Sequence, residues 1–347
     1  MERPTKRKWI LVAAALVVLA AAVLAVAVPR LRPTSDEERT LGSLRKVGDF
    51  PLYVMHYYGD YGFRESLRQR TAERRDERAV EAEAFAPWGC TCFAALSPAG
   101  DKVFGRNFDW TTEAALLLFT DPPDGYASVS MVDITYLGFG KSEPDSEQRR
   151  RLLHAPFMPF DGLNEQGLAV GMMAVEGSAP RDPDKATIDD LEAIRLLLDY
   201  AGNVEEGISL LQQYNIDFGD GPPVHYLIAD ADGNAAVVEY VGGGTRVIRN
   251  AQAWQVATNF VLSEAKPEGA QSPCWRYNAA WRALEGGAGQ LGLSEAMALL
   301  QQVSQGGDYA TRWSVVYGMT SGDVQIAVGR QYQHVLRFEL PMGQSPP

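Results

Sequence analysis

Histidine and cysteine are both scarce in this chain, four and three among 347 residues. Cys90, Cys92 and Cys274 cannot make a disulfide framework, so a hydrophobic core must hold the fold. Cys90 and Cys92 stand too close for an easy bridge, and a Cys92–Cys274 bridge is left open. His56, His154, His225 and His334 fall in no Cys–His catalytic spacing, and none completes a metal site with Cys90 and Cys92. Gly138-Phe139-Gly140 lacks the third glycine of a dinucleotide fingerprint. Positive charge is in deficit: the net charge is -12, and basic residues cluster only at the N-terminus and within 64–78. That excludes nucleic acid as a partner. No repeat of fixed period is present, and long apolar runs are absent but for one.

That run, Trp9 to Val28, follows the basic Lys6, Arg7 and Lys8. Twenty helical residues at about 1.5 Å each span about 30 Å, the depth of a bilayer core. The run has no polar face, and the cations before it favour a cytoplasmic N-terminus. It predicts a single-pass membrane anchor with the rest of the chain outside the cytoplasm. Ala25-Val26-Ala27 offers the alternative of a cleaved signal and a secreted protein. The expected organisation is a basic segment at 1–8, the anchor at 9–28, a linker and aromatic-rich segment at 29–89, and a globular domain at 90–341.

Beyond residue 90 the pattern is one of short strands joined by turns. Strands are expected at 91–97 and 102–108 around Pro98-Ala99-Gly100-Asp101, then at 114–120, 126–133 and 168–175. Apolar residues at helical spacing predict helices at 187–201, 203–214, 274–285 and 293–304. Strands return at 224–230, 235–241, 244–249 and 253–258, and again near 313–319, 323–329 and 333–339. Hairpin-linked strands interrupted by helix pairs indicate α+β layers.

The chemistry-bearing group is Cys90. Arg106 follows sixteen residues later and Asp109 nineteen later, across a predicted hairpin that brings all three to one end of two strands. A thiol needs a base or a depressed pKa to attack. No histidine is placed to supply one, but a free α-amine on Cys90, with a pKa of about 7.7–8.0, would. Gly89-Cys90 is therefore a candidate self-cleavage point. Asp109 could orient the amine and Arg106 could stabilise the thiolate. Cys92, on the same strand face, reads as packing.

These residues carry a family resemblance. Cys90-Thr91, Gly105-Arg106-Asn107-Phe108-Asp109, Asp161-Gly162-Leu163-Asn164-Glu165-Gln166-Gly167-Leu168-Ala169, Ala257-Thr258-Asn259, Gly307-Asp308-Tyr309 and Arg312-Trp313-Ser314 follow in that order. Together they resemble the cysteine N-terminal-nucleophile (Ntn) hydrolases: choloylglycine hydrolases, penicillin V acylases and acid ceramidase-like enzymes. The resemblance implies a four-layer αββα sandwich, here preceded by the transmembrane helix. It implies hydrolysis of a linear non-peptide amide through a thioester, with no metal or organic cofactor and a small-molecule N-acyl amide as substrate. By position, Cys90 would be the nucleophile, Arg106 and Asp109 its supports and Asn259 an oxyanion donor. Arg312 would be a second arginine near the thiol. Ala174 departs from the pattern, standing near where relatives carry a polar or aromatic oxyanion residue. Two other outcomes stay open: acyl transfer to an amine, and a non-catalytic domain that only holds an amide or lipid.

Overall fold

A computed structural model describes residues 34–48, 50–70, 89–111, 114–140, 142, 144–178, 182–219 and 221–343. The run Trp9–Val28 lies outside the described residues. Among the described residues no helix is long and apolar enough to cross a membrane.

Two sheets form the centre. The larger has nine strands. In spatial order they are β1 (Arg45–Val47), β2 (Leu52–Tyr57), β5 (Ala115–Thr120), β6 (Ser128–Asp133), β7 (Pro159–Asn164), β8 (Ala169–Ala174), β11 (Val224–Ala229), β12 (Ala235–Val241) and β13 (Gly244–Arg249). All neighbours are antiparallel except β2 and β5. The smaller sheet has the order β14 (Trp254–Thr258), β3 (Gly89–Ala95), β4 (Val103–Asp109), β15 (Thr311–Gly318), β16 (Asp323–Val328) and β17 (Leu336–Glu339). A short parallel pair, β9 (Thr187–Asp189) and β10 (Asn215–Asp217), stands apart.

Side-chain alternation assigns the layers. On β4, Arg106 turns toward Asp161 of β7 in the facing sheet, while Asn107 donates to the Leu300 carbonyl of an outer helix. On β7, Asn164 donates to the Leu198 and Ala201 carbonyls on the other outer side. Helices α1 (Asp190–Tyr200) and α2 (Val204–Leu211) cover the larger sheet, and α3 (Trp275–Gly286) and α4 (Leu293–Gln302) cover the smaller. Helix, sheet, sheet, helix is an Ntn-hydrolase-like α+β arrangement. Gly171 on β8 permits the close approach of the sheets, because a Cβ there would lie 2.8 Å from Cys92 Sγ and 3.1 Å from Arg106 Cδ.

The predicted elements differ mainly at their ends, whereas β7, which carries Asp161, was not expected. The helix expected from residue 187 starts at Asp190, because Thr187–Asp189 pair with Asn215–Asp217 and Asp189 caps the helix. The aromatic-rich segment 48–65 contributes β2 to the larger sheet rather than merely packing on it. All three cysteines are free thiols, which closes the Cys92–Cys274 option.

Candidate active site

Cys90 sits on β3 opposite Phe108, and Cys92 opposite Arg106. Paired residues share a sheet face, so both thiols and the Arg106 guanidinium meet between the sheets. Arg106 is fully buried. Its Nε donates to Asp161 Oδ2 at 2.9 Å, its Nη1 to Cys92 Sγ at 3.3 Å and its Nη2 to Cys90 Sγ at 3.8 Å. Asp161 is held in turn by Trp313 Nε1 at 3.1 Å and the Tyr317 hydroxyl at 2.6 Å. Every oxygen of this buried carboxylate therefore has a donor, the condition under which a buried ion pair is tolerable.

Burial pushes the Cys90 thiol up from its ordinary value, and Arg106 only partly pulls it back. Burial likewise drives Cys92 up, to about 12. Both sulfurs are thus protonated near neutral pH while Gly89 is joined to Cys90. Cys92 does not line the pocket that reaches Cys90 and packs under the arginine.

The backbone of Cys90 is gripped from two sides. Its N–H donates to Asn259 Oδ1 at 2.5 Å, and its carbonyl accepts from Arg276 Nη1 at 2.6 Å. Arg276 also donates to Thr91 Oγ1 at 3.2 Å and to Asn259 Oδ1 at 3.1 Å, and lies 3.7 Å from Asp109 Oδ2. Asn259 Nδ2 donates to the Ala174 carbonyl at 2.8 Å. Donors on one end and an acceptor on the other fix the orientation of this amide, and among the described residues one Nδ2 hydrogen is uncommitted. Ala174 thus offers its backbone oxygen, an acceptor.

Asp109 faces Gly89 across the strand pair. Its Oδ1 accepts from Thr311 Oγ1 at 2.6 Å and its Oδ2 from Gln305 Nε2 at 3.1 Å. Burial still pushes its carboxyl up to about 7, against the opposing pull of Thr311 and Arg276. Gly89 is the residue that fits here: a Cβ would come 1.6 Å from Gln305 Nε2 and 2.9 Å from Asp109 Oδ2.

The structure brings Cys90, Arg106, Asp109 and Asn259 together. It does not bring Arg312, whose Nε donates to the Trp110 carbonyl at 2.6 Å and whose Nη2 reaches the Asp308 carbonyl at 3.3 Å. Arg276, at the start of α3, stands against Cys90 instead. Sequence reasoning missed it because no spacing links a residue 186 positions downstream to the thiol. It also passed over His225 and Glu239, both fully buried. His225 bonds the Thr258 carbonyl at 2.8 Å and Glu239 at 3.1 Å. Glu239 accepts from the Leu262 and Ser263 N–H groups at 2.6 and 3.0 Å. The pair therefore clamps the backbone on both sides of Asn259.

A pocket of about 200 Å³, partly open to solvent, leads to Cys90 and Arg106. Its walls are largely apolar and aromatic: Phe108, Trp110, Tyr136, Phe160, Met172 and Phe218 among them.

A buried cysteine at the head of β3 thus faces an arginine between two sheets flanked by helices, an Ntn-hydrolase-like arrangement. Residues 90–260 match the family model of the linear amide C–N hydrolases, choloylglycine hydrolase family. The fold is similar to penicillin V acylase from Agrobacterium tumefaciens, at 19% identity and a TM-score of 0.53, covering 72% of this chain and 86% of that one. It is similar also to a mutant of conjugated bile acid hydrolase from Clostridium perfringens, at 16% identity and a TM-score of 0.54, covering 72% and 92%. At such identities the likeness is one of fold. An uncharacterized protein of Paramecium bursaria Chlorella virus 1 is 30% identical over 94 residues, 24% of this chain and 34% of that relative. That match spans about a third of the relative's length.

Proposed function

We propose that this protein is a self-processing amidohydrolase that cleaves an N-acyl amide through a thioester on Cys90, held outside the cytoplasm by the Trp9–Val28 run. The observation that carries this reading is the convergence on Cys90. Arg106 lies at its sulfur, Asn259 at its nitrogen and Arg276 at its carbonyl, all beside an apolar pocket.

Self-cleavage comes first. Cys90 Sγ attacks the Gly89 carbonyl carbon. The thiol proton passes to Asp109, whose carboxyl near 7 can both take and return it. It then goes to the Cys90 nitrogen as the peptide C–N bond breaks. Water hydrolyses the Gly89 thioester, leaving a free thiol and a free α-amine.

That amine is a new base on the nucleophile's own residue. It takes the thiol proton, and the sulfur attacks the substrate carbonyl with Arg106 stabilising the thiolate. The uncommitted Asn259 hydrogen serves the oxyanion, where one donor is typically worth about 10²–10³ in rate. The leaving amine departs with the proton, and water attacks the thioester to release the acid. Asn259 Oδ1 and Asp109 hold the amine in place throughout.

N-terminal sequencing and intact mass of the wild type and of Cys90→Ala test this. The expected result is a fragment beginning at Cys90 in the wild type, with neither cutting nor amide hydrolysis in Cys90→Ala. A Cys90→Ala protein that still hydrolyses amides would overturn it.

A further inference from the structure

The pocket beside Cys90 contains one carboxylate that the mechanism does not use. Asp190, the first residue of α1, lines the pocket among Leu191, Met172, Phe160, Tyr136 and Phe218. Capping of the helix does not explain it. Asp189 is the cap, accepting from Glu192 N at 2.7 Å, and Glu192 Oε2 accepts from Asp189 N at 3.1 Å. The Asp190 carbonyl is occupied by the Tyr226 hydroxyl at 2.9 Å. Its carboxyl is held by backbone alone, from Leu191 N to Oδ1 at 3.1 Å and from its own N–H. No side-chain donor among the described residues reaches this carboxyl. Burial and neighbouring Asp189 push this carboxyl up to about 7.

A polar group in an otherwise apolar pocket costs desolvation in the empty site and recovers it only when a ligand supplies a matching group. Sites of this kind reject analogues that lack the matching group far more strongly than apolar pockets reject an added hydroxyl. The apolar part of an N-acyl amide is its acyl group, which belongs against these walls. We infer that Asp190 selects acyl groups bearing a hydroxyl on an otherwise apolar body, the hydroxyl bonding Asp190 Oδ2. A hydroxyl suits a carboxyl near neutrality, since it can donate to the ionised form and accept from the protonated one.

This inference rests on the amidohydrolase reading, and the test separates the two. The probes are coumarin amides of saturated acyl chains and the same chains hydroxylated at each carbon in turn, with kcat/KM measured for the wild type, Asp190→Leu and Asp190→Asn. At the matching carbon the wild type should prefer the hydroxylated chain by about 10- to 100-fold, the range of a hydrogen bond to a charged group. Asp190→Leu should invert that preference, and the isosteric Asp190→Asn should retain part of it. An unchanged preference in Asp190→Leu, or a wild type that favours the plain chain at every position, would overturn the inference while leaving the amidohydrolase reading intact. A cut wild type that hydrolyses none of these amides would overturn both.

Discussion

Arg276 is the residue whose importance only the folded chain reveals. Its guanidinium fixes the Cys90 carbonyl, the Thr91 hydroxyl and the Asn259 amide at once. A planar fork can serve several acceptors together, whereas an ammonium acts as a point charge. Arg276→Met is expected to slow both self-cleavage and kcat by about 10²-fold, the scale of losing one well-placed donor. Arg276→Lys should recover little of either. Timed gel analysis of cutting and steady-state kinetics check this, and a fully active Arg276→Lys would show that charge alone suffices. The residues legible in sequence were those tied by local spacing, Cys90, Arg106 and Asp109, all on one hairpin. Asn259 was reached through resemblance. Arg276 and the His225–Glu239 clamp were not legible because their partners lie in other elements. Arg312 was placed by order along the chain, and it turned instead to the Trp110 and Asp308 carbonyls.

At the scale of elements, the pieces on either side of Gly89-Cys90 are knitted together. Strand β2 lies parallel to β5, with Leu52 opposite Ala115 through Tyr57 opposite Thr120. The Tyr61 hydroxyl bonds both oxygens of Asp199 at 2.7 Å, and Arg195 Nη1 bonds Asp199 Oδ1 at 2.9 Å. After cutting, the two pieces should therefore co-migrate in size-exclusion chromatography. Tyr61→Phe leaves Asp199 with one partner fewer, and unsatisfied buried groups cost about 1–3 kcal/mol. The variant should lose its small piece at lower denaturant. Pieces that separate on cutting in plain buffer would refute the account. Most catalytic-domain strands were legible because Pro, Gly and Asp mark their turns. β2 was hidden because its parallel partner lies beyond an intervening hairpin.

For the whole molecule, buried carboxyls couple stability to pH. Burial raises Asp109 from the ordinary carboxylate range to about 7, so the folded state binds its proton more tightly than the unfolded chain. Stability from this group is present in full below the unfolded value and is lost as pH rises through about 7. In the uncut Cys90→Ala protein the melting temperature should fall between about pH 4 and pH 7. Adding Asp109→Asn should shallow that fall. A slope identical in both proteins would remove Asp109 from the coupling.

The route of the chain between β2 and β5 has a further consequence. It leaves the larger sheet, forms β3 and β4 in the smaller one, and returns. The proposed cut severs that excursion. Parallel strands depend on such a covalent crossover to find one another during folding. The precursor can assemble by an intramolecular search. The processed enzyme, once unfolded, would have to reassemble from two separate chains, a process that slows with dilution. Maturation would thus make folding a one-way event. The lifetime of the mature enzyme would then be set by its rate of unfolding rather than by an equilibrium with the unfolded state.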